Sequence, residues 1–242
     1  MPLSNDAGVY TYENGIKLHL DDLTNIQLTR YKSAQRNIHE PMEESWFERV
    51  FADHKREEFR FIDIGAAVGY YSILVKRRFP RAIICAVEPI SEFRTRIRAN
   101  LKLNGFDPDS IKIFPWAVYP NRTHIELALH HFGSFVVKED SKKQEDTLLV
   151  EARGLKETLA EYPGVIDLAK VDIQSAELPV FEEAIDVLSQ NKVHNWIIGT
   201  HGLNIHQKIL SMFSKTHDIL FQDPSPVDQP DGIVVARAKT CQ

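Results

Sequence analysis

The sequence has 242 residues, 43% apolar and 26% charged, which is the composition of an ordinary globular protein and not of a disordered, collagenous or coiled-coil chain. A net charge of −5 argues against a broad phosphate-binding surface, so nucleic acid is not an expected partner. Neither a signal peptide nor a membrane span is predicted. The two cysteines, Cys85 and Cys241, form no disulfide framework or metal-ligand spacing, which favours a reducing, cytoplasmic location and predicts no metal.

The N-terminal part predicts a small appendage. Two extended stretches, Tyr10–Tyr12 and Ile16–Leu20, flank an Asn-Gly pair, a combination typical of a β-hairpin. Apolar residues then recur at helical spacing over Pro41–Phe51, and proline suits a first helical turn. We therefore predict a hairpin and helix appendage over residues 1–50 and a main domain over residues 51–242.

The main domain alternates β-rich runs with helical runs from Phe59 onward, as in α/β folds whose parallel strands are joined by crossover helices. Strands are predicted at Arg60–Ile64, Ala82–Val87, Ile111–Phe114, Leu168–Ile173, Trp196–Thr200, Ile219–Phe221 and Ile233–Ala236. Helices are predicted at Tyr70–Phe79, Ser91–Asn104, Leu155–Glu161, Glu177–Gln190 and Ile205–Ser214. The link over 222–232 is too short and too rich in proline for a crossover helix, so the last strand of this doubly wound, mostly parallel sheet should be antiparallel.

The alternation is interrupted between residues 119 and 150. His124–His130 alternates apolar and polar residues with period two, and Thr147–Ala152 also has an extended pattern. Lys138–Asp146 is strongly charged, which is typical of a solvated loop. We predict an inserted antiparallel segment here.

The loop after the first predicted strand carries the clearest sign of a ligand. Small residues let a ligand approach helix amides that favour an anion, but Gly65-x-x-x-Gly69 is neither a dinucleotide fingerprint nor a P-loop. Asp63 adds a negative charge beside this anion site, so the two together suit a zwitterionic amino acid. Glu88 follows Gly65 by 23 residues, close to the ~20 at which an acidic residue binds ribose. An amino acid plus ribose without pyrophosphate describes S-adenosylmethionine.

The sequence resembles the FkbM family of S-adenosylmethionine-dependent methyltransferases from about His39 to Ala238. The segments that carry the resemblance are His39–Pro41, Phe61–Ser72, Val87–Pro89, Asn100–Asn104 and Lys170–Glu177. It implies a Rossmann-like class I methyltransferase fold and methyl transfer to a hydroxyl of a small molecule or saccharide. It also implies cofactor contacts at Asp63, Gly65, Gly69 and Glu88.

Three places depart from the family pattern. Ala67 stands where Asn is usual, Gln174 and Ser175 replace a usual Glu-Gly, and Gly199 occupies a place often held by Glu. These positions fall where the acceptor is expected, so a binding module that has lost transfer chemistry stays an alternative. N-methylation of a small metabolite and a nicotinamide-dependent dehydrogenase are further alternatives, although the latter would require the missing third glycine.

Residues around the loop and at later strand ends are further candidates for cofactor contact: Ala66, Ala67, Tyr70, Tyr71, Pro89, Trp116, Ala117 and Asp172. Of the adjacent tyrosines, one is expected in the core and the other beside the cofactor. For Trp116, stacking on adenine and packing in the core are equally supported interpretations.

Two residues are candidates for the catalytic base. Asp172 ends a predicted strand, where open α/β sheets bind ligands, although it also suits the N-cap of the following helix. His201 follows another strand, and a neutral imidazole with a pKa near ~6.5 can accept a hydroxyl proton. Acceptor binding is predicted for Glu40, Gln174 and His201, with a helix-start role as the alternative for Glu40. The oligomeric state is left open.

Overall fold

The structure is a computed structural model that describes residues 8–33, 37–129, 134–137, 146–227 and 229–239. Its strands in chain order are β1 (Val9–Thr11), β2 (Lys17–His19), β3 (Arg60–Ile64), β4 (Ile83–Val87), β5 (Lys112–Phe114), β6 (Ala117–Val118), β7 (His124–Ala128), β8 (Phe135–Val136), β9 (Thr147–Arg153), β10 (Ile166–Val171), β11 (Val193–Thr200), β12 (His217–Asp223) and β13 (Gly232–Ala238). Its α-helices are α1 (Asn25–Ser33), α2 (Pro41–Asp53), α3 (Tyr70–Arg78), α4 (Ser91–Leu103), α5 (Leu155–Ala160), α6 (Glu177–Glu183), α7 (Ile185–Leu188) and α8 (Leu203–Phe213). Among the helices of these ranges, none has the length and apolar character needed to cross a bilayer.

A seven-stranded sheet with the order β12-β13-β11-β10-β3-β4-β5 forms the centre of the protein. The strands from β11 to β5 pair in parallel, and β13 runs antiparallel to both of its neighbours. The predicted Rossmann-like, mostly parallel sheet with an antiparallel last strand is therefore confirmed. The sequence did not reveal that β13 inserts between β11 and β12.

Both faces of the sheet are covered, which explains why nearly every residue of the central strands β3, β4 and β10 is buried. Phe61 of β3 packs in a cluster with Phe47 of α2, whereas the adjacent Ile62 packs on the opposite face with Phe181 of α6. Successive side chains of a strand point to opposite faces, so each strand contributes to both clusters. Layers of helices on the two faces leave only the strand ends open.

The N-terminal hairpin is joined to the main core. Strands β1 and β2 pair antiparallel as predicted, and Tyr12, Ile16 and Leu18 are fully buried in the same cluster as Phe61. The sequence analysis missed α1, whose apolar side chains do not fall on one face, since Ile26 is 82% exposed. Hairpin and sheet therefore share one hydrophobic cluster.

The interruption in the alternation forms a second sheet, with the order β6-β9-β7-β8. The predicted extended segments pair antiparallel as β7 and β9. Residues 138–145 of the predicted charged loop, and His130, lie outside the described residues. The single helix predicted over Glu177–Gln190 is wrong, because Ala184, with φ −99° and ψ 26°, separates α6 from α7.

Gly65 brings the loop after β3 against the end of β10. Its φ of +85° lies in the left-handed region, and a Cβ atom there would lie 1.8 Å from the carbonyl oxygen of Asp172. The Asp172 amide also donates to the Ile64 carbonyl at 2.9 Å. Only glycine fits such a close approach of two backbones.

We predict that Gly65→Ala lowers the free energy of unfolding much more than Gly105→Ala. Gly105 has a similar φ of +81° with open space around its Cβ position, so it carries only the conformational cost of about 1–2 kcal/mol. The overlap with Asp172 should add about 1–3 kcal/mol at position 65. Urea denaturation of both variants measures the difference, and equal destabilisation would contradict the close approach.

Candidate functional site

Two adjoining cavities lie at the carboxyl ends of the central parallel strands, where open α/β sheets bind ligands. The Glu88 cavity is lined by residues that include Val87, Glu88, Pro89, Ile90, Phe93, Trp116 and Ala117. The Asp231 cavity is lined by residues that include His39, Glu40, Ala66, Tyr70, Tyr71, Lys170 and Asp231. Gly65, Ala67, Asp172 and Gln174 border both cavities. A ligand in one cavity can therefore meet a ligand in the other at these four residues.

Glu88 is held at the end of β4 by backbone donors. Its Oε2 accepts a hydrogen bond from the Ala67 amide at 3.0 Å and its Oε1 accepts one from the Ile90 amide at 2.8 Å. Burial raises the pKa of Glu88 to about 8, although both hydrogen bonds favour the ionised form. Each carboxylate oxygen has a second lone pair, which can accept a hydrogen bond from a ligand hydroxyl.

Trp116 packs in the core, which is one of its two predicted roles, and its predicted stacking on adenine stays a prediction. Its ring stacks on Phe114 at 4.5 Å between centroids, and its indole nitrogen donates to the Thr158 hydroxyl at 3.1 Å. The side chain is buried and also lines the Glu88 cavity. The guanidinium carbon of Arg153 also lies 3.7 Å from the ring centroid, so Phe114 and Arg153 together fix the ring at the cavity wall.

Asp63 and Gly69 support the loop and line neither cavity. Asp63 Oδ2 accepts hydrogen bonds from the backbone amide of Ser72 at 3.1 Å and from its hydroxyl at 2.7 Å. These contacts fix the first turn of α3, and burial raises the pKa of Asp63 to about 6. Gly69, with φ +86°, precedes α3 and packs near Ile97. We predicted direct cofactor contacts for both residues, but neither of them borders a cavity in this structure.

Tyr70 and Tyr71 were expected to differ, but both are buried and both border the Asp231 cavity. The Tyr71 hydroxyl donates to Glu40 Oε2 at 2.6 Å, and the Tyr70 hydroxyl donates to Glu44 Oε1 at 2.7 Å. Both rings belong to the same hydrophobic cluster, so a core position holds for both, and the predicted contact of one with the cofactor stays a prediction. Helix α3 directs the two adjacent side chains toward the start of α2. The predicted acceptor residue Glu40 thereby gains a fixed orientation.

A buried lysine beside the Asp231 cavity contacts two acidic side chains. Lys170 of β10 is 1% exposed, and its Nζ lies 2.9 Å from Glu43 Oε2 of α2 and 3.2 Å from Asp172 Oδ2. Burial opposes ionisation of Asp172, but the charges of Lys170 and His201 hold the pKa of Asp172 below its ordinary value. Asp172 is therefore an ionised carboxylate at the junction of the cavities.

His201 stands in a cluster of acidic side chains. Its Nδ1 lies 2.9 Å from Glu177 Oε1, and its Nε2 lies 3.2 Å from Asp231 Oδ1 and 3.6 Å from Asp172 Oδ1. Burial lowers the pKa of His201, but the hydrogen bond to Glu177 and the charges of Asp172 and Asp231 raise it to about 9. The expectation of a neutral imidazole at neutral pH is wrong for this arrangement, and His201 lines neither cavity.

Several site residues escaped the sequence analysis. Asp231 lies in the proline-rich link that predicted only an antiparallel strand, and it approaches His201 because β13 inserts beside β11. Burial raises the pKa of Asp231 to about 6. Glu43 had a detectable signal, because it lies on the apolar stripe of α2 with Trp46 and Phe47, where a buried carboxylate needs a partner.

The departures from the family pattern meet at this junction. Gln174 and Ser175 have left-handed backbones, with φ of +52° and +78°, although neither is glycine. The Gln174 amide nitrogen donates to Asp172 Oδ1 at 3.1 Å. A Cβ atom on Gly199 would lie 3.2 Å from Asp172 Cγ, so the glycine leaves room for that carboxylate. Ala67 also has a left-handed backbone, with φ +46°.

Comparison with known proteins agrees with this geometry. The model of the methyltransferase FkbM domain matches residues 63–221, which is more than half of the chain. The chain belongs to the FkbM methyltransferase family. This FkbM methyltransferase uses S-adenosylmethionine as its methyl donor.

Individual relatives of this FkbM methyltransferase are distant. It is 26% identical over 191 residues to methyltransferase sdnD of Sordaria araneosa, covering 64% of this chain and 73% of that protein. An rRNA methylase structure from Streptococcus thermophilus is 8% identical with a TM-score of 0.50, covering 79% of this chain and 93% of the other. TrmK of M. capricolum, solved with S-adenosylhomocysteine, is 13% identical with a TM-score of 0.45, covering 78% of this chain and 67% of the other. The similarity to the rRNA methylase structure bears on the fold alone.

The affinity for S-adenosylmethionine should rise with pH through about 8, the pKa of Glu88. An ionised Glu88 can accept hydrogen bonds from both ribose hydroxyls, whereas the protonated form has one acceptor fewer, and a charged hydrogen bond contributes about 1.5–3 kcal/mol. We expect Kd to fall about tenfold between pH 6.5 and 9 in calorimetric titrations. Glu88→Gln is the matched control and should show a flat profile; the same slope in both proteins would contradict the assignment.

Proposed function

We propose that this methyltransferase transfers the methyl group of S-adenosylmethionine to a hydroxyl of a small molecule or saccharide. The observation that supports it is the position of Asp172, which borders both cavities. A donor in the Glu88 cavity and an acceptor in the Asp231 cavity would meet beside this carboxylate. Its negative charge also suits the sulfonium, whose charge is positive.

The donor is proposed to lie across the loop after β3. Its ribose hydroxyls would bind Glu88, its adenine would lie against Trp116, and its amino-acid end would lie over the turn from Gly65 to Ala67. The Glu88 cavity is lined mostly by apolar residues, with Glu88, Ser134, Asp172 and Gln174 as its polar ones, which suits an adenine ring placed beside a ribose. The methyl group would then point toward the boundary with the Asp231 cavity.

The transfer needs an acceptor oxygen in line with the sulfur. The oxygen lone pair forms a bond to the methyl carbon while the carbon–sulfur bond breaks, and its electron pair leaves with sulfur as S-adenosylhomocysteine. The hydroxyl proton passes to a carboxylate, for which Asp231 and Asp172 are the candidates in the acceptor cavity. Positioning of the two reactants contributes several kcal/mol, and a positioned base contributes about 10²–10⁴-fold.

The walls of the Asp231 cavity bear on the acceptor class. Its lining has four acidic side chains, Asp22, Glu40, Asp172 and Asp231, and two basic ones, Arg30 and Lys170, and the acidic excess would disfavour the phosphates of a nucleic acid. A neutral polyol or saccharide suits such hydrogen-bond acceptors. The same lining favours a protonated amine, so N-methylation of a small metabolite is the second candidate.

A cytoplasmic location is proposed from the cysteine usage, with Cys85 a free thiol.

Two isosteric variants separate donor binding from transfer. Asp231 borders only the acceptor cavity, so Asp231→Asn should leave the Kd for S-adenosylmethionine unchanged and lower kcat by about 10²–10⁴-fold. Asp172 borders both cavities, so Asp172→Asn should weaken donor binding as well as lower kcat. Calorimetry and acceptor-dependent release of S-adenosylhomocysteine measure the two effects.

The assay uses a panel of saccharides, hydroxylated metabolites and small amines. Release with a hydroxylated compound supports O-methylation, and release with amines alone favours the second candidate. Donor binding without release from any compound would favour a binding module that has lost transfer chemistry. An unchanged kcat in Asp231→Asn would remove that carboxylate from the reaction.

A further inference from the structure

Three side chains from separate parts of the chain converge beside the Asp231 cavity, which two of them, Asp172 and Asp231, border. Asp172 follows β10, His201 follows β11, and Asp231 precedes β13. One ligand atom from each lies within 4.8 Å of the other two, and no other three His, Cys, Asp or Glu side chains of the described residues meet in this way. The sequence predicted no metal, because 29 residues separate the first pair and 30 separate the second.

The second observation that supports a ligand at this place is the state of the Nε2 atom of His201. Its Nε2 atom is shielded from solvent and has no hydrogen-bond partner within the described residues. The carboxylate oxygens of Asp231 and Asp172 approach it to 3.2 and 3.6 Å, yet neither lies where the N–H would donate to it. A buried polar atom without a partner is costly, so this nitrogen is suited to a ligand that the three atoms would share.

The opposite side of the imidazole is already fixed. Glu177 is fully buried and its Oε1 lies 2.9 Å from His201 Nδ1, while the same oxygen accepts a hydrogen bond from the Ile173 amide. A carboxylate that binds one ring nitrogen orients the other toward a metal, as in carboxylate–histidine–metal arrangements. The ring is thus oriented with Nε2 facing the two aspartates.

We propose that Asp172, His201 and Asp231 bind a divalent first-row metal ion of the Mn²⁺ class. One imidazole with two carboxylates suits Mn²⁺ or Zn²⁺ better than an all-oxygen Ca²⁺ site. Two ligand atoms that each lie about 2.1 Å from an ion, with a ligand–ion–ligand angle of about 90°, are about 3 Å apart. The distances from His201 Nε2 to the two aspartate oxygens are close to this value. Three protein ligands leave coordination positions open for water or for an acceptor.

The local charges also favour a cation. Lys170 and His201 are the two positively charged side chains of this cluster, and three carboxyl groups surround the imidazole alone: Asp172, Glu177 and Asp231. Lys170 contacts Oδ2 of Asp172, whereas Oδ1 accepts a hydrogen bond from Gln174 and lies on the side of His201. A His201 that binds a metal is neutral, and the added ion would compensate the remaining negative charge.

This inference deepens the proposed function and rests on it for the role of the ion. Because Asp172 and Asp231 both border the acceptor cavity, open positions on the ion would face the acceptor there. Neighbouring hydroxyls, or a hydroxyl beside a carbonyl, could then bind the ion through two oxygens. The acceptor class would accordingly be a compound with two adjacent oxygen functions.

Metal binding is tested on the full-length protein after dialysis against a chelator. Titration with Mn²⁺, followed by electron paramagnetic resonance of the free ion, should show one site with a micromolar Kd. Asp231→Asn should weaken it at least tenfold, as should His201→Gln. Asp218→Asn removes the same charge at an exposed position of β12 and should leave the Kd unchanged.

Thermal unfolding and the Kd for S-adenosylmethionine show whether each variant is folded. The proposal is overturned if wild-type protein binds Mn²⁺ no tighter than millimolar, or if folded Asp231→Asn and His201→Gln both bind it as the wild type does. Full methyl transfer in the chelated enzyme would overturn the role of the ion and leave the proposed function standing. Specific Mn²⁺ binding without transfer to any acceptor would support the site and count against the proposed function.

Discussion

The ion pairs of Lys170 are the interaction on which the site depends. An ammonium group that is 1% exposed is stable only because Glu43 and Asp172 compensate its lost hydration. Breaking such a buried pair by removing one partner costs about 3–5 kcal/mol. The same contacts connect α2 to the centre of the sheet and fix the carboxylate that both cavities share. Stability of the fold and geometry of the site therefore rest on one cluster of charges.

Around this cluster, the sheet does what parallel α/β sheets generally do, since its covered faces leave the strand ends as the place for ligands. The loops after the strands make the contacts that position the site residues. The turn at Gly65 brings the loop after β3 against Asp172, and Ala67 connects the same loop to Glu88 through its amide. Donor and acceptor regions are thus coupled through backbone contacts, and small side chains here are a geometric requirement.

The chemistry of His201 shows where residue type alone misleads. A histidine after a strand suggests a base with an ordinary pKa, but three carboxyl groups around the ring raise the pKa to about 9. Two of those groups, Glu177 and Asp231, come from positions 24 residues before and 30 residues after it. Their effect depends on distances of a few ångströms, which no spacing in the chain encodes. Asp63 is similar, because its proximity to the glycine loop did not reveal that Ser72 occupies its oxygen.

The sequence by itself determined most strands and helices of the main domain, the antiparallel last strand, the glycine loop and the acidic residue after the second strand of the sheet. These features are local, because hydrophobic periodicity and turn chemistry act over a few residues. Only the tertiary structure decided that β13 lies between β11 and β12 and that Asp231 therefore reaches Asp172 and His201. That contact joins segments that are distant in the sequence, because it depends on how the strands pair and how the helices cover the sheet. The charges of the site therefore depend on the tertiary structure.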